Sequence, residues 1–548
     1  MVSLDDSPRH NRSKEQFRIA EVAFSRTKGP QEMVPVMARI ERAILWLDRP
    51  ASAWVLVAAL APLFLLMLAP TDWNSNEENY LQLAYSKVAP EKFTTYHAIF
   101  DDSRARIVSE TLLGTAVKWF GYSSAHIALR LILALLYATG LALLFSGLAA
   151  SVLESFLIIA VFCVMGEEMI AAESLFRGIE PKALAYSMVF VAFGFACRRR
   201  WSAAIAFAAL STSMHFLVGG FWTGMLLLLE WVQEKQVKRV AWHAALFAIL
   251  IAPLMIVVVP HDIVSLLPAS GSGLTPDTIY SEIRGSEHVA PFKALYTFWG
   301  WVPGIVVILS LIGVLAGLHH RRLLTSFAVV PMVGLHYLVF ALIIAYFDRH
   351  TNYLGKFYLF RPNSLILFFA ITAIVLSIRR HCSNDGRWIF AVLSAAFVFV
   401  YVSNTMKTQI DRVRRAPAIP FEQELVDAIE RNSAPQDIVL LEPFKEMDAE
   451  YQRLHRLIPR PTLVSWKFAP FDPANLIRWY DLIQRRERLF AHGCVEPMDP
   501  PVRLLVVFQR DVAERMLNCG DPVWRHGDVT VIKVREVARV PEVTSVPR

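Results

Sequence analysis

Charge is scarce in this chain: of its 548 residues only 19% are Asp, Glu, Lys or Arg, against 55% hydrophobic, and the mean hydropathy is +0.40. That balance excludes a soluble globular protein over most of the length. Apolar runs of about 17 to 25 residues recur instead, each long enough to cross a hydrocarbon core of about 30 Å as a helix. Cysteine is also sparse. Cys163, Cys197, Cys382, Cys494 and Cys519 form no CxxC and no Cys/His spacing suited to zinc, which argues against a structural metal. No DxD with a neighbouring His is present, so nothing compels a divalent ion and the sequence identifies no cofactor with certainty. The first 50 residues lack a short apolar core with a small-residue cleavage site, so the first span is expected to serve as an uncleaved insertion signal. The net charge of +7 resides in short loops between apolar runs rather than on one amphipathic surface. The basic residues read as topology signals, and nucleic acid is not an expected partner.

The apolar pattern predicts a mainly α-helical polytopic membrane protein with about eleven transmembrane helices. Spans are expected near 52–70, 125–148, 152–170, 182–197, 240–260, 294–317, 323–346, 362–377 and 388–404, with two short helices or a re-entrant hairpin in 202–233. Residues 1–50 form a cytoplasmic segment in this reading, with an amphipathic surface helix at 33–49, and 51–404 form the membrane domain. The basic stretches CRRRW at 197–201, EKQVKR at 234–239, HHRR at 319–322 and IRRHCSNDGR at 378–387 then fall on one side. By the positive-inside rule that side is the cytoplasm, which puts 71–124, 261–293, 347–361 and 405–548 outside. The last segment alternates helix-like and strand-like stretches and predicts a soluble α/β domain with a largely parallel sheet, without a GxGxxG or P-loop.

The first outer segment carries most of the chemistry. NEENYLQLA at 76–84 sets Asn76, Glu77 and Glu78 at the start of a helix, where free backbone N–H groups and the positive dipole end favour carboxylates. A well-capped interfacial helix accounts for them as readily as a site does. As acids of an outer loop they are expected to contribute little to stability. Arg130 falls inside the second span, where an unpaired charge costs at least about 2.5 kcal/mol, so it requires an acidic partner, Glu77 or Glu78 being nearest. That pair would be catalytic or a structural lock.

NEENYLQLA resembles the DE-x-x-Y segment that follows the first span in GT-C integral membrane glycosyltransferases, the class of the aminoarabinose and protein O-mannosyl transferases. VKWFGYSSAHIALRLILALL continues the resemblance, with Phe120, Gly121, Arg130 and Leu131 in the places of that class's FG and Arg-Leu. HFLVGG, KFYLFRPNS and WKFAPFDP are similar to a bacterial branch of it. Two departures stand out: Asn76 occupies the usual Asp position, and the HPP before the amphipathic helix is replaced by SRAR at 103–106. The resemblance implies transfer of a sugar from a polyprenyl-phosphate donor to a glycan, lipid or protein acceptor at the outer face of a bacterial inner membrane. It requires a carboxylate base and cations for the departing phosphate. Glu77, Glu78, Asp101 and Asp102 are the candidate acids. Arg104, Arg106, Arg130, Arg349, Lys356 and Arg361 are the candidate cations, with Glu173 and His215 as further binding residues.

Each of these has a plainer reading. The cations of DRHTNYLGKFYLFRP at 347–361 would equally anchor the loop at the interface. Glu173 would belong to a solvated loop, His215 to a packed core, and Cys494 and Cys519 would be free or bridged. The rival functions are a transporter or flippase of lipid-linked glycans and a noncatalytic glycan-binding scaffold. The absence of an internal repeat and the collection of acids at one face disfavour the first, whereas Asn76 keeps the second open.

Overall fold

The computed structural model describes residue 47 and residues 49–92, 103–266, 274–415, 421–494 and 498–535. The surface helix expected at 33–49 lies, but for Leu47 and Arg49, outside the described residues, as do Asp101 and Asp102.

The chain is a mainly helical membrane protein. Its apolar helices are α1 (Ala53–Met67), α3 (Ile107–Gly147), α4 (Val152–Met165), α5 (Pro181–Ala196), α6 (Trp201–Met214), α7 (Phe216–Glu234), α8 (Val237–Leu266), α9 (Leu295–His320), α10 (Val329–Asp348), α11 (Asn363–His381) and α12 (Asn384–Arg414), and the polar α2 (Ser75–Val88) follows α1. Among the described residues seven stretches, in α3 and α7–α12, are long and apolar enough to cross a bilayer, and α1, α4, α5 and α6 are shorter apolar helices. Their positions match the expected spans, including the hairpin α6–α7. There a Cβ on Gly219 would stand 2.1 Å from Thr212 N, so the glycine lets the two helices touch. The α3 run is broken at Gly121, whose φ of 74° separates a first arm from the long apolar part of the helix.

Side-chain contacts sort the helix ends into two layers. At one end Arg198 donates to Leu143 O and Ser146 Oγ, Arg380 donates to Leu148 O, and Arg199 pairs with Glu234. Gln233 donates to Ser326 Oγ there as well. All four basic loops meet at this end. The start of α2, the turn after α4, and the start of α11 gather at the other.

After α12 come α13 (Glu422–Asn432), β1 (Ile438–Leu441), α14 (Ala449–Leu457), α15 (Pro473–His492), β2 (Val502–Val507), α16 (Arg510–Met516), β3 (Gly520–His526) and β4 (Val529–Val534). The sheet order is β1-β2-β4-β3. Only β1–β2 is parallel, and β2–β4 and β4–β3 are antiparallel. The expectation of a largely parallel sheet is thus corrected: the chain returns through the tight β3–β4 turn at Gly527, which only an antiparallel pair permits. The stretch PTLVSWKF meets the sheet through a bridge between Val439 and Thr462. Alternate residues of β2 enter different cores, Leu505 and Val507 facing Trp479 and Met516, and Leu504 and Val506 facing Ile429 and Leu454. Cys494 and Cys519 are joined by a disulfide.

Candidate functional site

Two buried polar clusters occupy the end of the bundle opposite the basic loops. The first is built on the capping box of α2. Asn74 Oδ1 accepts from Glu77 N at 2.9 Å, and Glu77 Oε2 accepts from Asn74 N at 3.1 Å. The same carboxylate accepts Arg130 Nε on Oε1 at 2.8 Å and Arg130 Nη2 on Oε2 at 2.6 Å. It also accepts Ile179 N on Oε1 at 2.8 Å and His126 Nε2 on Oε2 at 3.2 Å. Gly178 makes the Ile179 contact possible, since a Cβ there would lie 2.5 Å from Glu77 Oε1. Burial pushes the Glu77 carboxyl up, but the bonds and charges of His126 and Arg130 outweigh it and hold the group at about 2. A carboxylate so saturated with donors is a weak base and a strong clamp.

Glu78 faces the other way. Arg456 of α14 donates to its two oxygens, Nε and Nη2 each at 2.9 Å. The Arg456 guanidinium also covers the Tyr122 ring at 4.7 Å and the Trp73 ring at 5.2 Å, and Trp73 stacks on His126 at 4.0 Å. Glu77 and Glu78 are fully buried, 0% exposed, which corrects their description as surface acids. The strand-and-helix unit at the C-terminus covers what sequence alone leaves open to solvent.

The second cluster joins the turn after α4, the α6–α7 break and the start of α11. Glu173 accepts from Lys182 Nζ at 2.9 Å and pairs with Arg361 Nε at 3.2 Å. Lys182 also pairs with Glu180 at 3.3 Å. Arg361 Nη1 donates to His215 Nε2 at 2.7 Å, and its guanidinium lies 4.3 Å over the Tyr358 ring. A guanidinium can only donate, so His215 is neutral with its proton on Nδ1, and that atom is buried without a hydrogen-bond partner among the described residues. Burial opposes the charge on Glu173, yet Lys182 and Arg361 draw its pKa below the ordinary carboxylate value. Asn76 Nδ2 donates to Glu180 at 3.0 Å, and Lys467 Nζ, from the segment between β1 and α15, donates to Asn76 Oδ1 at 2.9 Å.

The sequence-derived candidates therefore separate. Glu173, His215 and Arg361 converge, and Glu77 and Arg130 converge in the neighbouring clamp. Arg106 pairs with Glu110 at 3.2 Å and lies 5.3 Å over the Tyr80 ring. Arg104 donates its backbone N to Asp262 Oδ1, and its Nε is buried without a hydrogen-bond partner among the described residues. Arg349 folds back over its own helix onto Tyr346, 4.0 Å away, and Lys356 pairs with Asp277 at 3.0 Å. Lys182, Glu180, Arg456 and Lys467 went unnoticed in the sequence. A signal existed for Lys182, a lysine one residue inside an apolar helix start, and Lys467 lies in the WKFAPFDP stretch noted above, but nothing local shows that it is brought in from 391 positions away in sequence.

A surface groove of about 360 Å³ between α3, α5 and α6, lined by Ile132, Leu136, Met188, Phe195 and Phe207 among others, is apolar and lies apart from both clusters.

No family model matches the sequence, and no curated protein matches it. Among solved structures, the chain is similar to ArnT from Cupriavidus metallidurans in the apo state, with 14% identity and a TM-score of 0.40 over 87% of this chain and 97% of that one. It is also similar to ArnT from the same organism bound to undecaprenyl phosphate, with 12% identity and a TM-score of 0.39 over the same shares, 87% and 97%. Superpositions this loose leave the chemistry to the residues themselves.

Proposed function

We propose that this chain is a membrane glycosyltransferase that moves a sugar from a polyprenyl-phosphate donor to an envelope acceptor at the outer face of the membrane. The observation that carries the reading is the second cluster. Lys182, Arg361 and Lys467 are gathered there about Glu173 and Glu180, and among the described residues the proton of His215 Nδ1 is unused. An excess of cationic donors at a buried helix-bundle end suits a phosphate whose charge grows as the glycosidic bond breaks. The basic loops at the opposite end support placing this end outside. The disulfide supports the same orientation, because disulfides persist in oxidising compartments.

Within this reading Glu77 and Glu78 are positioning residues, since their oxygens are engaged by Arg130 and Arg456. The role of accepting the acceptor's proton then falls to Asp101 or Asp102, in the sequence just ahead of Ser103.

The test is donor consumption by the purified chain in vesicles, with an envelope extract supplying the acceptor. Arg361→Lys is expected to lower turnover by about tenfold or more, because Lys loses the planar guanidinium donors. Consumption unaffected by Arg361→Lys, Lys182→Gln and His215→Ala together would sink the proposed site. Polyprenyl-phosphate binding without turnover under any acceptor condition would instead favour the glycan-binding scaffold.

A further inference from the structure

Lys467 is held in place from both sides. Trp466 N donates to Glu446 Oε1 at 2.9 Å, and Glu446 is gripped by Arg486 Nη1 and Nη2 at 2.7 and 2.8 Å. Phe468 is buried against Leu83 of α2. The ammonium between these anchors is half-buried and points at α2. Of its three donors, one reaches Asn76 Oδ1, a neutral amide. Among the described residues no carboxylate lies within ion-pair distance of it.

Its surroundings are unfavourable for a positive charge. Burial first, then Arg284, and to the smallest extent Lys182, push the Lys467 pKa down to about 8, against the pulls of Glu180 and Glu287. A rigidly held ammonium without a counter-charge costs stability unless something anionic arrives. Asn76 is the reason the charge stays unspent: a carboxylate at that position, 2.9 Å from Nζ, would neutralise it.

We propose that Lys467 is a substrate-contacting residue, through which the C-terminal unit grips the donor's phosphate while Arg361 and Lys182 hold it from the helix bundle. This rests on the glycosyltransferase reading above. It adds that the phosphate site is complete only when α14 and the 465–470 segment are docked on α2, so the C-terminal unit is part of the binding site and not an appendage.

The experiment measures binding of a polyprenyl phosphate to the full chain in detergent, with the unphosphorylated polyprenol and inorganic phosphate as parallel probes. Lys467→Gln is expected to weaken polyprenyl-phosphate binding by about tenfold or more, the loss of one charge-assisted contact, and to leave polyprenol binding unchanged. Lys467→Arg should keep it within about threefold. Asn76→Asp should weaken it as well while raising the thermal midpoint, because the new ion pair competes with the ligand, an effect that a merely structural lysine would not produce. Inorganic phosphate competing with the lipid would identify the phosphate as the group gripped, and competition by polyprenol alone would overturn the inference. Wild-type affinity in Lys467→Gln, with affinity lost in Arg361→Gln, overturns the Lys467 contact and leaves the glycosyltransferase reading standing. No binding of polyprenyl phosphate by the unmodified chain removes both.

Discussion

Arg130 and Glu77 meet in a two-point contact, Nε to Oε1 at 2.8 Å and Nη2 to Oε2 at 2.6 Å, and so fasten a spanning helix to the first turn of α2. Arg130 is 3% exposed and Glu77 0%, so removing either partner strands a buried charge. Glu77→Gln or Arg130→Met is expected to destabilise the protein by about 3–5 kcal/mol, read as a large fall in thermal midpoint and in detergent-stable yield. The pH sign follows from the depressed carboxyl. The stability contributed by Glu77 is complete above the ordinary carboxylate pKa and is lost as pH falls through about 2. Wild-type stability in Glu77→Gln would show that the clamp does not form.

The Glu78–Arg456 pair joins α2 to α14 in the same bidentate way. A double-mutant cycle with Glu78→Gln and Arg456→Met is expected to give a coupling of about 1–3 kcal/mol. Hydrogen exchange in 449–457 should speed up in either single variant, and exchange unchanged in both would separate this pair from docking.

Phosphate binding should depend on pH through Lys467. Below about 8 the ammonium is charged, and it is lost as pH rises through that value. Lys182 and Arg284 repel it, Glu180 and Glu287 attract it, and Asn76 is neutral. Binding measured at sub-saturating lipid is expected to fall between about pH 7 and about pH 9 in the wild-type chain and to stay flat in Lys467→Arg.

Thiol labelling of the unfolded, unreduced protein is expected to modify Cys163, Cys197 and Cys382 and to spare Cys494 and Cys519. Reduction should weaken the C-terminal unit by about 2–4 kcal/mol. In intact cells, cysteines introduced at 71–92 or 421–490 should react with an impermeant reagent, whereas those at 198–200 and 319–322 should not. The opposite pattern would invert the proposed orientation.

The sequence by itself determined the long apolar helices and their order, because a run of apolar residues long enough to cross lipid has no other stable state. It also placed Asn76, Glu77 and Glu78 at the start of a helix, and the structure begins α2 at Ser75 with Asn74 and Glu77 closing a capping box. It required a partner for Arg130 and narrowed that partner to two adjacent acids. Which of the two it is follows from side-chain direction on α2, with Glu77 facing α3 and Glu78 facing α14. Tertiary structure alone decided the rest. The antiparallel share of the sheet depends on strand pairing that local pattern does not encode. The convergence of Glu173, His215 and Arg361 depends on helix packing across 188 positions of chain, and the arrival of Lys467 beside Asn76 on the docking of a unit 391 positions away. Burial is the physical reason behind all of these. Whether a charged side chain is a solvated cap, a clamp or a waiting site depends on what covers it, and the covering residues lie far away in the sequence.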